Sequence, residues 1–291
     1  MSQPDPSRSF GAVADAYERA RPSYPREAVE WLVGPTPVQV LELGAGTGKL
    51  TEMMVELGHS VFATDPDDAM LDVLSTKLPD VRATVGTAEQ IPAADGTVDV
   101  VVAAQAFHWF DADAALPEIA RVLKPGGRIA LVWNDYDERI PWVKRFNAIV
   151  GRPPSQDRRE PAGVLERSGL FSAVVTQDYK HWHRVDRATI RELALSRSHL
   201  ASKPAEEREA KLAEVLAFYD EFGRGMDGMQ LPFATHCYRA SVVNRRNASV
   251  PIMGSHGRTA GTADQLPRVA TEPTQPVARP QGDAMTLIDF R

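Results

Sequence analysis

Short apolar runs alternate with helical patterns through the first half of the chain. The runs are rich in β-branched residues and fit buried parallel strands, whereas the stretches between them repeat their apolar positions at helical spacing. The predicted strands are 38–43, 60–64, 81–85, 99–104 and 128–133, and the predicted helices between them are 47–57, 66–78 and 114–123. This alternation predicts a doubly wound α/β sheet with ligands bound at the carboxyl ends of its strands.

The second half continues the pattern less regularly. A polar, proline-containing stretch at 135–160 surrounds an apolar helix at 142–149 and predicts an insertion over the site. We predict a sixth strand at 171–180, helices at 186–200 and 205–222, and a seventh strand at 230–239, which makes Cys237 structural. Residues 241–291 contain a single aromatic residue, Phe290, and no sustained periodicity. They cannot bury enough surface to order themselves, and we expect a disordered tail.

Three glycines follow the first predicted strand at every second position, Gly44, Gly46 and Gly48. Such a turn lets a ligand approach the backbone and aims it at the N-terminus of the next helix. A P-loop is excluded because Leu43 and Leu50 stand where it needs glycine and Ser or Thr. The dinucleotide-binding fingerprint G-x-G-x-x-G is not matched, because Lys49 occupies the position of its third glycine. The remaining pattern is E-x-G-x-G-x-G, which begins with Glu42.

Asp65 ends the second predicted strand, 21 residues after Gly44. This is close to the spacing at which a carboxylate accepts hydrogen bonds from ribose hydroxyls in dinucleotide-binding folds. The alternative is that Asp65 caps the helix that follows, and the two roles are compatible. We favour ribose binding because strand, glycine turn, helix, strand and acid occur in the required order.

Composition narrows the classes of partner. The net charge of −6 argues against a non-specific nucleic-acid binder. The single cysteine excludes an internal disulfide and fits a reducing compartment. No apolar run reaches the length of a membrane span, and the polar N-terminus shows no signal peptide. We therefore expect a cytoplasmic protein without nucleic-acid or membrane partners, and we expect no metal site, since His181 and His183 alone are too few ligands.

These motifs together resemble a known family. The segments that carry the resemblance are Leu-Glu-Leu-Gly-Ala-Gly-Thr-Gly at 41–48, Ala-Thr-Asp-Pro at 63–66, Gly-Thr-Ala-Glu at 86–89, Ala-Gln-Ala-Phe-His-Trp-Phe-Asp at 104–111 and Arg-Val-Leu-Lys-Pro-Gly-Gly at 121–127. They resemble the class I S-adenosylmethionine-dependent methyltransferases. With Tyr-Glu-Arg-Ala-Arg-Pro-Ser-Tyr-Pro at 17–25, they look like the trans-aconitate methyltransferase-like branch, which is a branch of the methyltransferase type 11 group and acts on small molecules.

The resemblance implies a fold and a domain layout. The fold is a Rossmann-like, seven-stranded sheet with an antiparallel last strand, an N-terminal helical arm and a helical cap insertion. The domain would cover residues 1–240, with a cofactor-binding core at about 36–135, cap and late sheet elements at 136–240, and the tail beyond. The implied cofactor is S-adenosylmethionine, which becomes S-adenosylhomocysteine, and the implied partner is a small-molecule acceptor.

The resemblance also implies roles for individual residues. Those expected to bind the cofactor are Tyr17, Arg21, Glu42, Gly44, Gly46, Gly48, Asp65, Thr87, Ala88, Glu89 and Gln105. Tyr24, His108 and Trp109 are expected to contact the acceptor. In many relatives an Asp that contacts adenine stands where this chain has Thr87.

Methyl transfer from a sulfonium is a direct displacement that depends on alignment. A carboxylate acceptor needs no general base, whereas a phenol, amine or carbon acid does, and His108 is the candidate nearest in sequence. A structural role for His108 is an equal alternative. A catalytically silent cofactor-binding module and an NAD-type oxidoreductase are the two rival functions.

Overall fold

The computed structural model describes residues 20–151, 161–196, 200, 203–223 and 228–243. These residues form one seven-stranded sheet in the order β3-β2-β1-β4-β5-β7-β6. Strands β1 to β5 pair in parallel, and β7 runs antiparallel to both β5 and β6. The prediction of a seven-stranded sheet with an antiparallel last strand is therefore confirmed.

Every predicted strand has a counterpart in the structure. The strands are β1 (Gln39–Leu43), β2 (Ser60–Asp65), β3 (Arg82–Val85), β4 (Val98–Ala104), β5 (Leu123–Tyr136), β6 (Val175–Val185) and β7 (Met229–Ser241). The helices are α1 (Arg26–Val33), α2 (Lys49–Glu56), α3 (Asp68–Lys77), α4 (Ala112–Val122), α5 (Pro141–Val150), α6 (Pro161–Arg167), α7 (Arg187–Leu195) and α8 (Ala205–Phe222).

Three predicted elements have other bounds in the structure. The fifth strand was predicted at 128–133 but runs from Leu123 to Tyr136. The sixth strand was predicted at 171–180 but runs from Val175 to Val185. Phe171 is buried in the core and makes only an isolated bridge to Val242, which explains its apolar character without a strand. Helix α7 ends at Leu195 rather than at residue 200. Tyr17, most of the predicted first helix and the predicted tail from residue 244 onward lie outside the described residues.

The central strands are apolar at nearly every position because helices cover both faces of the sheet. Val40 on β1 packs with α1 and α2 on one face. Its neighbour Leu41 packs with α4 on the other face. This alternation places the β1 and β4 backbones in the middle layer, so that their carboxyl ends open at one edge of the sandwich.

Helices α5, α7 and α8 form a separate apolar cluster over the end of β5 and β7. Phe146 and Phe218 pack at 5.3 Å between ring centroids, and Tyr136 and Phe233 join the same cluster from the sheet. This is the predicted helical cap. No helix among the described residues combines the length and the apolar character that crossing a bilayer requires.

Two arginines from the sheet satisfy the C-terminal carbonyls of α1. Arg128 on β5 donates from Nε to the Leu32 carbonyl at 3.1 Å and from Nη2 to the Val33 carbonyl. Arg239 on β7 donates to the Trp31 carbonyl at 2.9 Å. Carbonyls in the last turn of a helix lack partners within the helix, and cations there also interact favourably with its dipole. These bonds fix α1 against the late strands of the sheet.

Replacing Arg128 with Met should therefore destabilise the protein. Hydrogen bonds to a charged donor contribute about 1.5–3 kcal/mol, and we expect a loss of that order in the free energy of unfolding measured with urea. The matched control is Arg26→Met. Arg26 pairs with Glu30 on the exposed side of the same helix, where an ion pair contributes about 0.3–0.5 kcal/mol. Equal losses in the two variants would contradict this role for Arg128.

Candidate active site

The turn between β1 and α2 places all three glycines in the left-handed region. Their φ angles are 71° at Gly44, 56° at Gly46 and 79° at Gly48. A Cβ at Gly44 would lie 2.5 Å from the Ala106 Cβ, and one at Gly48 would lie 2.8 Å from Leu74. A Cβ at Gly46 would meet no atom within 4 Å. The outer glycines are therefore required by packing, whereas Gly46 faces open space in which a ligand can approach the backbone.

Asp65 holds this turn from the end of the neighbouring strand. Its side chain is buried, and Oδ2 accepts a hydrogen bond from the Gly46 N–H at 2.8 Å while Oδ1 accepts one from the Asp67 N–H at 2.9 Å. Burial raises the pKa of Asp65, and these two backbone donors oppose the rise. The N-cap of α3 is Asp67, whose side chain accepts from Ala69. The alternative that Asp65 caps this helix is therefore wrong.

A cleft opens at the carboxyl ends of β1, β4 and β5, beside the glycine turn. It holds about 620 Å³ of space including its open mouth. The residues that line it are Arg21, Pro22, Tyr24, Glu42, Gly44, Ala45, Gly46, Thr47, Lys49, Leu50, Ala104, Gln105, Asn134, Tyr136, Leu193 and Phe233. Five residues predicted to bind the cofactor meet here with Tyr24, which was predicted to contact the acceptor; the five are Arg21, Glu42, Gly44, Gly46 and Gln105.

Glu42 is a buried acid in the wall of this cleft. Only 1% of the residue is exposed, and its Oε2 accepts a hydrogen bond from the Thr51 hydroxyl at 2.6 Å. Burial raises the pKa of Glu42 to about 8, the Thr51 bond lowers it, and the neighbouring Asp65 raises it again. Burial therefore favours the neutral, protonated form of Glu42 in the ligand-free protein.

Gln105 carries backbone strain at the end of β4. Its φ of 57° is in the left-handed region, the only such value among the described residues other than glycine. The strained backbone is held by a bond from Gln105 N to the Val132 carbonyl at 2.9 Å, and the side-chain amide donates to the Asn134 carbonyl at 3.0 Å. Strain of this kind concentrates at functional sites, and here it turns the chain at the cleft wall.

Asn134 joins three parts of the cleft. Its Nδ2 donates to the Ser23 carbonyl at 3.0 Å, and its Oδ1 accepts from the Thr235 hydroxyl at 2.6 Å. Because that hydroxyl proton points to Asn134, the 3.2 Å contact between Thr235 Oγ1 and His181 Nδ1 requires the proton on Nδ1. Burial lowers the pKa of His181 to about 4, which agrees with a neutral ring. The network therefore links β6, β7 and β5 to the segment that crosses the cleft.

That segment, residues 20–25, is fastened at two further points. Arg21 donates from Nε to the Ser196 hydroxyl and from Nη2 to the Ser196 carbonyl, both at 2.9 Å. The Ala20 carbonyl lies 3.0 Å from His183 Nε2. We name residues 20–25 the arm. Because two donors of Arg21 hold Ser196 at the end of α7, the arm is tied to the cap as well as to the sheet.

Several predicted site residues are not among those that line the cleft. Asp65 is one of them, and its hydrogen bond to Gly46 connects it to the lining. Gly48 begins α2 and packs on Leu74. Thr87 forms a bridge with Gln90, Ala88 is buried in the core, and Glu89 accepts a hydrogen bond from the Asp111 N–H at 2.9 Å. These last three contacts fix the loop after β3 against the start of α4.

His108 and Trp109 also lie outside the residues that line the cleft. They belong to a 3₁₀ turn at Phe107–Trp109, with their rings 4.8 Å apart. Both are exposed, whereas Phe107 between them and the strand is buried. The turn directs the apolar Phe107 inward, so that its two neighbours face the surface.

The sequence reasoning missed several residues that line the cleft. Asn134 and Tyr136 end β5, and the rule that ligands bind at the carboxyl ends of parallel strands would have found them. Leu193 and Phe233 come from α7 and from the antiparallel strand, where no such rule applies. Among the described residues, no group of three or more His, Cys, Asp or Glu side chains is arranged to hold a metal ion.

Comparison with known proteins identifies the family. The family model described as "Methyltransferase domain" matches residues 41–131. An uncharacterized methyltransferase of Mycobacterium tuberculosis, Rv3342, is 44% identical over 246 residues, which cover 83% of this chain and 98% of that protein. An uncharacterized methyltransferase of Schizosaccharomyces pombe is 34% identical over 245 residues, 78% of this chain and 93% of that protein.

A solved structure agrees on the fold. The putative methyltransferase from an antibiotic biosynthesis pathway of Anabaena variabilis superposes with a TM-score of 0.53 at 20% identity, covering 73% of this chain and 95% of that one. With the glycine turn, the acid at the end of β2 and the strand order all in place, the chain belongs to the methyltransferase family and has the class I S-adenosylmethionine-dependent methyltransferase fold.

Proposed function

We propose that this protein transfers the methyl group of S-adenosylmethionine to a small-molecule acceptor by in-line displacement. The observation that carries the proposal is the cleft at the carboxyl ends of β1, β4 and β5, where Gly46 leaves its backbone open to a ligand. A bound S-adenosylmethionine supplies an activated methyl group on a sulfonium. What the protein contributes is alignment of acceptor and methyl group, which requires a rigid wall rather than strong acid–base chemistry.

The cofactor is assigned to the side of the cleft that the glycine turn forms. Gly44, Gly46, Glu42 and Gln105 would surround its methionine portion. Asp65 would accept the ribose hydroxyls, since a carboxylate offers about four acceptor positions and backbone N–H groups use two of them. Gly48 would support the turn from the start of α2.

Further parts of the cofactor assignment rest on the family resemblance. Thr87, Ala88 and Glu89 would lie along adenine, with a hydroxyl or backbone contact in place of the usual Asp. Arg21 of the arm would close over the cofactor together with Tyr17, which lies outside the described residues.

The acceptor is assigned to the opposite side of the cleft. Tyr24, Tyr136, Leu193 and Phe233 give that side an apolar and aromatic lining. We propose an acceptor with an apolar body, and a carboxylate is a suitable nucleophile because it needs no base. Two donors of Arg21 already hold Ser196, which makes Arg21 a poor partner for such a carboxylate. Lys49 is the second cation that lines the same cleft.

Replacing Asp65 tests the cofactor assignment. Loss of hydrogen bonds to a charged group should weaken S-adenosylmethionine binding about 10- to 150-fold in Asp65→Ala, measured by calorimetric titration. Asp68→Ala, an exposed position in the first turn of α3, is the matched control and should leave affinity unchanged. A folded Asp65→Ala protein with wild-type affinity would exclude this role.

The same titration separates the rival functions. Binding of NAD without binding of S-adenosylmethionine would support the oxidoreductase function. S-adenosylmethionine binding without turnover of any acceptor in a broad metabolite panel would support a silent module.

Replacing Arg21 with Lys tests the arm. Lysine keeps the charge but loses the planar fork that holds both Ser196 atoms. We expect weaker S-adenosylmethionine binding whichever acceptor is used, because the arm crosses the cleft in which the cofactor would bind. The measurement is the dissociation constant in the absence of acceptor. Turnover lost only with acidic acceptors, at unchanged cofactor affinity, would instead show that Arg21 binds the acceptor carboxylate.

His108→Ala reports the chemistry of the acceptor. We retain His108 as the candidate base and Trp109 as a candidate acceptor contact, both from the sequence motif. Turnover should fall about 10²–10⁴-fold for an acceptor that must lose a proton and should change little for a carboxylate. The comparison is made with one acceptor of each kind, once a substrate is known. A small effect with both kinds would show that His108 is structural.

A further inference from the structure

Two buried acids end neighbouring strands beside the glycine turn, and they are held differently. Asp65 accepts from two backbone N–H groups, which stabilise its charged form. Glu42 accepts from the single hydroxyl of Thr51, which can donate to a carboxyl group in either protonation state. Burial disfavours the charged form of both carboxyl groups, and the charge of Asp65 further disfavours a charge on Glu42. The hydrogen bonds indicate that Glu42 is the acid that keeps a proton.

The surrounding charges do not compensate Glu42 with a close ion pair. The negative charge of Asp65 on β2 disfavours a charge on Glu42, and Lys77 on α3 favours it by a smaller amount while lying 3.3 Å from Glu52. Lys49 of α2 and Arg21 of the arm are the other charged side chains that line the cleft. Since Glu42 is 1% exposed and lines the cleft, a ligand there changes its surroundings directly.

We propose that Glu42 distinguishes the cationic methyl donor from the neutral product by exchanging a proton with solvent. This inference rests on the proposed function. The sulfonium of S-adenosylmethionine carries a positive charge, which S-adenosylhomocysteine lacks after the methyl group has left. Binding of the donor stabilises the Glu42 carboxylate, and the carboxyl proton goes to solvent. After transfer the sulfonium charge is gone, so the Glu42 carboxylate is less stabilised and takes up a proton from solvent. The ammonium group of the ligand is common to both molecules and does not contribute to the difference.

The proton exchange makes the attraction between Glu42 and the bound ligand depend on whether the methyl group has been transferred. A charged Glu42 attracts the donor, whereas a neutral Glu42 is indifferent to it. Once the sulfonium is consumed, the charged form is costly again, and reprotonation removes the attraction that held the ligand. Glu42 thereby favours donor binding before transfer and product release after it.

The test is calorimetric titration at pH 7 in two buffers with different ionisation enthalpies. With wild-type protein we expect close to one proton released per S-adenosylmethionine bound, since a group with a pKa of about 8 is mostly protonated at that pH. We expect clearly less release with S-adenosylhomocysteine. Glu42→Gln removes the titrating group, and subtracting its values removes the contribution of the amino group of the ligand itself.

The pH profile supplies a second readout. In the wild type the ratio of donor to product affinity should rise, by at most about tenfold per pH unit, between pH 6 and 8 and then level off. In Glu42→Gln the affinity ratio should change with pH only as far as the ligands themselves titrate. Thr51→Val removes the hydroxyl whose hydrogen bond lowers the pKa of Glu42. The midpoint of the pH profile should therefore move upward in this variant. This variant keeps the test decisive if Glu42→Gln does not fold.

Ligand-free protein gives a third readout. A carboxyl group with a raised pKa binds its proton more tightly in the folded state than in the unfolded state. The wild type should therefore lose melting temperature relative to Glu42→Gln as pH rises from about 5 to 8.

The outcomes separate the two hypotheses. Equal proton release in wild type and Glu42→Gln, with S-adenosylmethionine bound by both, would overturn the role of Glu42 and leave the proposed function intact. The same conclusion follows from a Thr51→Val profile identical to that of the wild type. Failure of the wild type to bind S-adenosylmethionine at any pH would overturn the proposed function itself.

Discussion

The carboxylate of Asp65 is the contact on which the geometry of the cleft depends. It reaches from β2 to the backbone of Gly46 and so fixes a left-handed stretch that no regular hydrogen-bonding pattern would hold. Two further bonds, from the Gly44 and Ala45 N–H groups to the Thr64 carbonyl, fasten the start of the same turn to the same strand. The turn is therefore fixed by its neighbour in the sheet, and a ligand meets a wall whose shape is already set.

The opposite wall is built on a different principle. It is assembled by the arm, which crosses the ends of the late strands and is hydrogen-bonded to Asn134, His183 and Ser196. These partners come from three elements that are far apart in the chain. Bonds to side chains on separate elements can open together with the arm, whereas the glycine turn cannot move without disturbing the sheet. One wall is thus rigid and the other is able to respond to a ligand.

The sequence was sufficient to predict the fold and the rigid wall, because both depend on local rules. The run of apolar residues gave the strands, glycine spacing gave the turn, and the end of each parallel strand located Glu42, Asp65 and Gln105. The responsive wall was harder to predict from the sequence. Phe233 and Leu193 reach the cleft through an antiparallel strand and a cap helix, and their positions follow from packing that no periodicity encodes. His108 shows that closeness in sequence does not ensure a place in the cleft. It is three residues from Gln105 in sequence, yet it lies outside the cleft lining.

The position of β7 has a consequence for biosynthesis. Among the described residues it is the last strand along the chain, yet it lies between β5 and β6 in the sheet. It supplies Phe233 to the cleft lining, and its Thr235 donates a hydrogen bond to Asn134. A chain leaving the ribosome can complete the glycine turn and its Asp65 contact after about a third of its length. The opposite side of the cleft has no Phe233 until nearly 240 residues have been made. The two sides of the cleft are therefore completed at different times during synthesis.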